Sequence, residues 1–282
     1  MKKSIFAFMA FAIIAMFCTT GCFDKKASAD DTLKSDSALS DTAIHDSLED
    51  IIAEQPMPKA ADELFDDFIF NYAANRKVQK ERTSFPVQLD NFGKQTELLQ
   101  SSWNMEHFFM RQGYYTLIFN NPRQMNLVKD TAVNSVYVEK ISVRKNFVKR
   151  WEFNRVNGMW RMNKVTLMPL SKHEDASFFR FYDSFASDTA VQVRSLCESV
   201  NFSGPDPEDD FSRLNGDIMP EQWLAFAPWM PKGALYNIHY GSKPYKPTNV
   251  RLFIIRGIAN GLETELTFIR QGGKWRLKKL NT

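Results

Sequence analysis

Cysteine is nearly missing from this chain, with three in 282 residues. Cys18 and Cys22 fall in the first 22 positions, so Cys197 is the single thiol beyond them. There is no CxxC pair and no Cys/His spacing of a metal site, which excludes a disulfide-stapled scaffold and a zinc module. Histidine is scarce as well: His45, His107, His173 and His239 are the full set, and none has a sequence neighbour that suggests a dyad. A Gly-x-Ser-x-Gly elbow, a phosphate loop, a His-Glu-x-x-His helix and a dinucleotide fingerprint are all lacking. No apolar run reaches the roughly 20 residues that a spanning helix needs. Charge of one sign is lacking too, with 36 basic against 33 acidic side chains and a net of +3. Without a Lys/Arg block of nucleic-acid type, no nucleic-acid partner is expected. No catalytic residue, metal or cofactor is expected either. What is present is ordinary globular composition, 44% hydrophobic and 13% aromatic with 24 Phe, enough for ring-filled cores. The length suits about two domains.

The N-terminus reads as an address. Lys2 and Lys3 precede a 13-residue apolar run at 5–17, IFAFMAFAIIAMF, too short to span a bilayer but right for the h-region of a secretory signal. Cys18-Thr19-Thr20-Gly21-Cys22 follows, and charged, Ser-rich chain starts directly after it. This resembles a bacterial lipoprotein signal, with Thr19 in place of the usual Leu. The resemblance implies a signal at 1–21, acylation of Cys22, and a lipid bilayer as partner. It also implies a place in the cell envelope on the outer membrane, facing the periplasm or the surface. An ordinary signal peptide with a chance Cys is the competing reading.

Residues 22–58 form the next segment. Residues 23–58 hold 9 acidic and 3 basic side chains and almost no large apolar residue before Ile51, so a disordered acidic tether is expected. Within it Asp31-Thr32-Leu33, Asp36-Ser37-Ala38, Asp41-Thr42-Ala43 and Asp46-Ser47-Leu48 recur at a spacing of five, which matches neither a helix nor a strand face. The pattern resembles an O-glycosylation acceptor of one group of Gram-negative envelope proteins, which marks Thr32, Ser37, Thr42 and Ser47. The alternative is a bare low-complexity linker.

The rest of the chain repeats itself. Trp151 to Lys164 and Leu266 to Lys279 share Phe, Arg, Gly, Trp, Arg and Lys at a shift of 115. Asn157-Gly158 and Gly272-Gly273 are two-residue turns of the positive-φ type, so each segment is a tight hairpin. Counting outward, Arg155 faces Trp160 and Phe153 faces Met162, while Arg270 faces Trp275 and Phe268 faces Leu277. Phe65, Phe68, Ile69 and Tyr72 recur as Phe178, Phe181, Tyr182 and Phe185 at a shift of 113, each a helical apolar stripe. Val78-Gln79 recurs as Val191-Gln192. Trp103, Phe109, Met110, Gly113 and Ile118 align with Trp223, Trp229, Met230, Gly233 and Ile238 at a shift of 120. Each copy is expected to run helix, further short helices, then strands, with the main strands at 134–167 and 248–280. The fold class is α+β: two domains, 59–170 and 171–282, each with N-terminal helices packed on a curved antiparallel sheet. Net charge divides unevenly, 17 basic against 11 acidic in 59–170 and 14 against 13 in 171–282.

This helix-first plan with a terminal Trp-Arg hairpin resembles the cone-shaped fold of nuclear transport factor 2 and ketosteroid isomerase, also called cystatin-like. As a whole the chain looks like an uncharacterised family of lipoproteins from gut-type Gram-negative bacteria. Enzymes of that fold use a pocket acid beside a Tyr or a second acid. The residues singled out as pocket or ligand contacts are Trp103, Tyr114, Tyr115, Arg155, Trp160, Trp223, Tyr236, Tyr240, Arg270 and Trp275. For the two Arg–Trp pairs the preferred reading is a covered hairpin tip. Cys197 is expected on a helix as a buried small hydrophobe, and Asp206, Glu208, Asp209 and Asp210 as a solvated loop. The favoured function is a membrane-anchored, non-enzymatic module binding an unknown small molecule, glycan or protein. The alternative is an isomerase- or hydratase-like enzyme using one cone pocket. A buried carboxylate with a raised pKa near Tyr114, Tyr115, Tyr236 or Tyr240 would favour chemistry. A closed core packed by Trp103, Trp223 and the Phe stripes would favour a structural role or surface binding.

Overall fold

The computed structural model describes residues 57–206 and 208–282. Cys22 and the Ser/Thr positions of the acidic repeat lie outside the described residues. The first half runs α1 (Phe65–Ala74), α2 (Arg76–Glu81), β1 (Thr83–Asn91), β2 (Lys94–Leu98), β3 (Tyr114–Phe119), β4 (Ser135–Ser142), β5 (Phe147–Val156) and β6 (Met159–Pro169). The second runs α3 (Ala176–Ser187), α4 (Thr189–Arg194), β7 (Leu196–Asp206), β8 (Asp209–Ile218), one-turn α5 (Trp223–Phe226), β9 (Ala234–Tyr240), β10 (Val250–Gly257), β11 (Glu263–Gln271) and β12 (Lys274–Asn281). Apart from α5 and short 3₁₀ turns, the two halves have the same element order.

Local physics recurs with it. Asn75 caps α2 by accepting from the amides of Lys77 and Val78, and Asp188 caps α4 by accepting from those of Ala190 and Val191. Both hairpin turns adopt the left-handed conformation, with φ of 50° and 78° at Asn157 and Gly158 and of 54° and 78° at Gly272 and Gly273. The register is as counted: Arg155 opposes Trp160 and Arg270 opposes Trp275.

The strands do not stay with their own halves. One sheet of twelve runs β2-β1-β6-β5-β4-β9-β3-β10-β11-β12-β7-β8. Strand β9 of the second half lies beside β4, from Val136 opposite Tyr240 to Ser142 opposite Ala234, and β3 of the first half lies beside β10. The exchanged strands meet in the middle, parallel, at Thr116–Asn237 and Leu117–Ile238. The expectation of a separate curved sheet on each side of residue 170 is thereby corrected. Side-chain alternation decides which face a strand buries, whereas its neighbour is a long-range choice. Two similar copies offer each strand two equivalent slots, the logic of domain swapping.

Two apolar cores result, on opposite faces of the sheet. Successive residues of β10 alternate between them, Leu252 and Ile254 to one and Phe253 and Ile255 to the other. The α1 stripe (Phe65, Phe68, Ile69, Tyr72) packs with Phe153, Trp160 and Met162, but also with Ile238 and Tyr240 of exchanged β9. The α3 rings pack with Phe268, Trp275 and Leu277, and with Ile118, Ile141 and Val148 from the first half. Each half thus completes the other's core, at roughly 1.5–3 kcal/mol per fully buried side chain.

Two further expectations change. The stretch after each helix pair is a hairpin, β1–β2 and β7–β8, rather than more helix. Pro86 inside β1 and the exposed KQTEL of β2 masked the first of these. Cys197 is on β7, half-buried, and not on a helix.

Candidate functional site

Several residues singled out from sequence are structural. The Trp103 indole N–H donates to Gln79 Oε1 at 3.3 Å, and the Trp223 indole N–H to Gln192 Oε1 at 2.9 Å. The repeated Val-Gln pair is therefore a buried anchor for a repeated tryptophan, since a buried indole N–H needs an acceptor. Arg155 lies 4.8 Å over the Trp160 ring and donates to the carbonyls of Thr131 (2.7 Å) and Glu63 (2.8 Å). Arg270 sits 6.0 Å from Trp275 and bonds the Gly273 carbonyl of its own turn. Both are hairpin tips. Tyr236 is half-buried, near Trp151 and under Lys140 at 5.5 Å.

Tyr115 and Tyr240 belong to something else. Asp66, at the second position of α1, accepts from the Tyr240 hydroxyl and from the Tyr115 hydroxyl at 3.3 Å, and Arg256 stands 3.7 Å away. Both tyrosines are buried, while the Asp66 and Arg256 side chains keep 20% and 26% of their surface, so the cluster opens on one edge. Burial raises the Asp66 pKa above its ordinary value, outweighing the two hydroxyls and Arg256. Four elements from both halves supply it: α1, the exchanged pair β3 and β9, and β10. The residue at the repeat position of Asp66 is Phe179. The carboxylate is thus no requirement of the duplicated fold. Sequence reasoning missed Asp66 because an acid in the first turn of a helix is commonplace, and its partners lie 49 and 174 residues away. A buried, raised carboxylate beside Tyr115 and Tyr240 is the mark of chemistry, and closed Trp cores the mark of a structural role or surface binding. The molecule has both.

A third place is an open groove of about 550 Å³, lined by Tyr114, Thr189, Leu224, Trp229, Met230 and Lys232 among others. Trp229 is 57% exposed and Leu224 61%, and the Trp229 ring stands edge-on to Tyr114 at 5.1 Å. The first-half counterpart of Trp229 is Phe109, which is wholly buried. A shallow depression of about 690 Å³ around Cys197 is larger, but polar groups such as Glu198, Arg276 and Lys278 line it. Burial raises the Cys197 thiol pKa, contrary to what a nucleophile needs.

Beneath the segment joining the halves lies a buried ionic cluster. Glu139 on β4 accepts from Arg150 Nε at 2.7 Å, and His173 Nε2 is 3.2 Å from both of its oxygens. Arg150 also reaches Glu174, at 3.3 Å, and lies 4.1 Å over the Tyr137 ring, on which His239 stacks. Burial alone would raise the Glu139 pKa, but His173 and Arg150 together hold it at about 2. His173, placed by sequence in the joint, clamps that joint to the sheet.

A curved sheet with helices on its faces defines an α+β protein of the NTF2-like class. A crystal structure of an NTF2-like protein from Bacteroides fragilis is 36% identical and superimposes with a TM-score of 0.72, covering 80% of this chain and 98% of that one. The chain belongs to the family described as domain of unknown function DUF4348, which matches residues 44–282. Among curated proteins none matches.

Proposed function

We propose that the protein is an envelope lipoprotein, held to the bilayer by acylated Cys22, that presents a non-enzymatic binding module on an acidic tether glycosylated at Thr32, Ser37, Thr42 and Ser47. Support for the anchor is the short apolar run ending in Cys22, and for the sugars the four in-register Asp-Ser/Thr triplets. The observation that carries the binding reading is the groove at Trp229. An indole standing 57% exposed against Tyr114, where the other copy buries a Phe, forfeits burial that the fold has shown it can achieve. Of small molecule, glycan and protein, a glycan fits best. The groove is shallow and open, its rings offer flat apolar faces to sugar C–H groups, and Thr189 and Lys232 supply polar contacts at its margin. Titration of envelope oligosaccharides against intrinsic tryptophan fluorescence tests this. Binding with a spectral shift that Trp229→Ala abolishes is expected, with little change in melting temperature. Saccharide binding unaffected by Trp229→Ala would refute the assignment.

One observation favours the isomerase- or hydratase-like alternative, the raised carboxylate of Asp66 between Tyr115 and Tyr240. Its oxygens are taken by two hydroxyls and face Arg256, which suits a clasp between α1 and the exchanged strands. We assign it that role.

A further inference from the structure

The corner joining β4 to β5 carries cations that the fold does not require. Lys140, Arg144 and Lys145 line one cavity of about 280 Å³ together with Ser142, Phe147, Gly233 and Ala234, and no carboxylate lines it. Among the described residues none of the three cations makes an ion pair. Lys140 also lies directly across the strand from Lys149, a like-charge pairing that costs stability. Lys149 is relieved by Glu106, while among the described residues Lys140 faces the Tyr236 ring, 5.5 Å away.

The corner is firmly built. Asn146 adopts a left-handed φ of 52°, its amide donates to the Val143 carbonyl at 3.0 Å, and its own carbonyl accepts from Leu170 at 3.1 Å. The turn is thus pinned to the segment joining the halves, and Arg144 and Lys145 project from it. Across the cavity, Ala234 pairs with Ser142.

The second half serves as an internal control. Its matching corner between β10 and β11 reads Ile258-Ala259-Asn260-Gly261-Leu262, with no cation. The nearest one, Arg256, is already paired with Glu263 at 2.8 Å and faces Asp66. That corner has five linking residues against four and is built without positive charge, so a connection at this place in the fold does not need Arg144 and Lys145.

We propose that Lys140, Arg144 and Lys145 form a binding site for a phosphate-bearing ligand. A phosphate group carries about −1.5 to −2 charges and three strong acceptor oxygens. Three cationic side chains whose residues line one cavity, Arg144 and Lys145 of them exposed and free to turn toward a ligand, match it better than they match a lone carboxylate. At about 30 Å³ per water, the space takes a phosphate with a small attached group. This site is separate from the groove at Trp229 and stands whether or not that groove binds glycans.

The test uses the full mature chain bearing Cys22→Ala, so that acylation does not mask weaker contacts. Isothermal titration with inorganic phosphate and with glucose 1-phosphate at low salt gives one arm. Flotation with phosphatidylglycerol and phosphatidylcholine vesicles gives the other, and tells a soluble phosphate ester from a lipid headgroup. Binding in at least one arm, weakened tenfold or more by Arg144→Ala/Lys145→Ala at unchanged melting temperature, is the expected result. Lys140→Gln, away from the turn, is expected to weaken it severalfold and checks that the double variant acts through charge rather than through the corner's shape. No binding in either arm, or binding that these variants leave intact, overturns the proposal.

Discussion

The buried cluster at Glu139 makes a quantitative prediction about acid stability. Glu139 is 1% exposed, and His173 and Arg150 take its pKa from an ordinary 4.5 to about 2. Each pKa unit is worth about 1.4 kcal/mol, so the ionised carboxylate contributes about 3 kcal/mol to folding. Because the folded-state pKa is depressed, that contribution is fully present above pH 4.5 and is lost as pH falls toward 2. Glu139→Gln keeps the shape, removes the charge, and leaves Arg150 with Glu174 alone, so at pH 7 it should cost about 3 kcal/mol or somewhat more. For a folded unit of this size that is a drop in melting temperature of about 6–12 °C. Urea unfolding of both proteins between pH 7 and pH 2.5 is the assay. The two stability curves should converge as the pH falls, the wild type losing what the variant never had. Parallel curves, with a constant gap down to pH 2.5, would refute the argument that the pair with Arg150 and His173 is the source of that stability.

Asp66 should behave with the opposite sign. Its folded pKa is raised above 3.8, so its favourable contribution is present below that pH and fades as pH climbs through the folded-state value. Asp66→Asn should therefore be more costly at pH 3 than at pH 7, and a pH-independent difference would argue against the raised carboxylate. Turnover of an unsaturated or keto substrate that disappears in Asp66→Asn while folding is retained would favour the enzymatic alternative over a clasp. In cell fractionation, Cys22→Ala should move the protein from the membrane to the soluble fraction, and unchanged partition would sink the anchor. Intact mass of the exported chain should exceed polypeptide plus lipid by the mass of sugars on the acidic repeat. The bare sum would remove the glycosylation proposal.

Much of the local structure was legible because it depends on neighbours in sequence. Asn157-Gly158 and Gly272-Gly273 dictate their own backbone signs, and the register of Arg155 with Trp160 follows by counting. The α1 and α3 stripes follow from helical spacing and bury the rings predicted, except that Phe181 is only half-buried and Phe179, outside the stripe, is buried. The β1–β2 hairpin was not legible, since its strands carry a Pro and a polar edge and have no alternation to display. Cys197 was misplaced because β7 alternates buried and open positions only at intervals along LCESVNFSGPD. Of the pocket candidates, Trp103 and Trp223 turned out to be anchored core, and Tyr114 alone lines the open groove. Asp66 was invisible because nothing within its own helix distinguishes it from an ordinary first-turn acid.

By itself the sequence determined the first helix of each half, the closing hairpins and the faces they bury, all properties of short-range periodicity and turn stereochemistry. The partner of each central strand was decided only in three dimensions. Strands β3 and β9 bury the same kinds of side chain, so alternation cannot say whether β9 lies beside β10 or β4, and the free energy of the whole sheet makes that choice. That choice brings Tyr240 to Asp66 and carries first-half Tyr114 to the groove of Trp229, so the sites belong to the tertiary structure while their rings belong to the sequence.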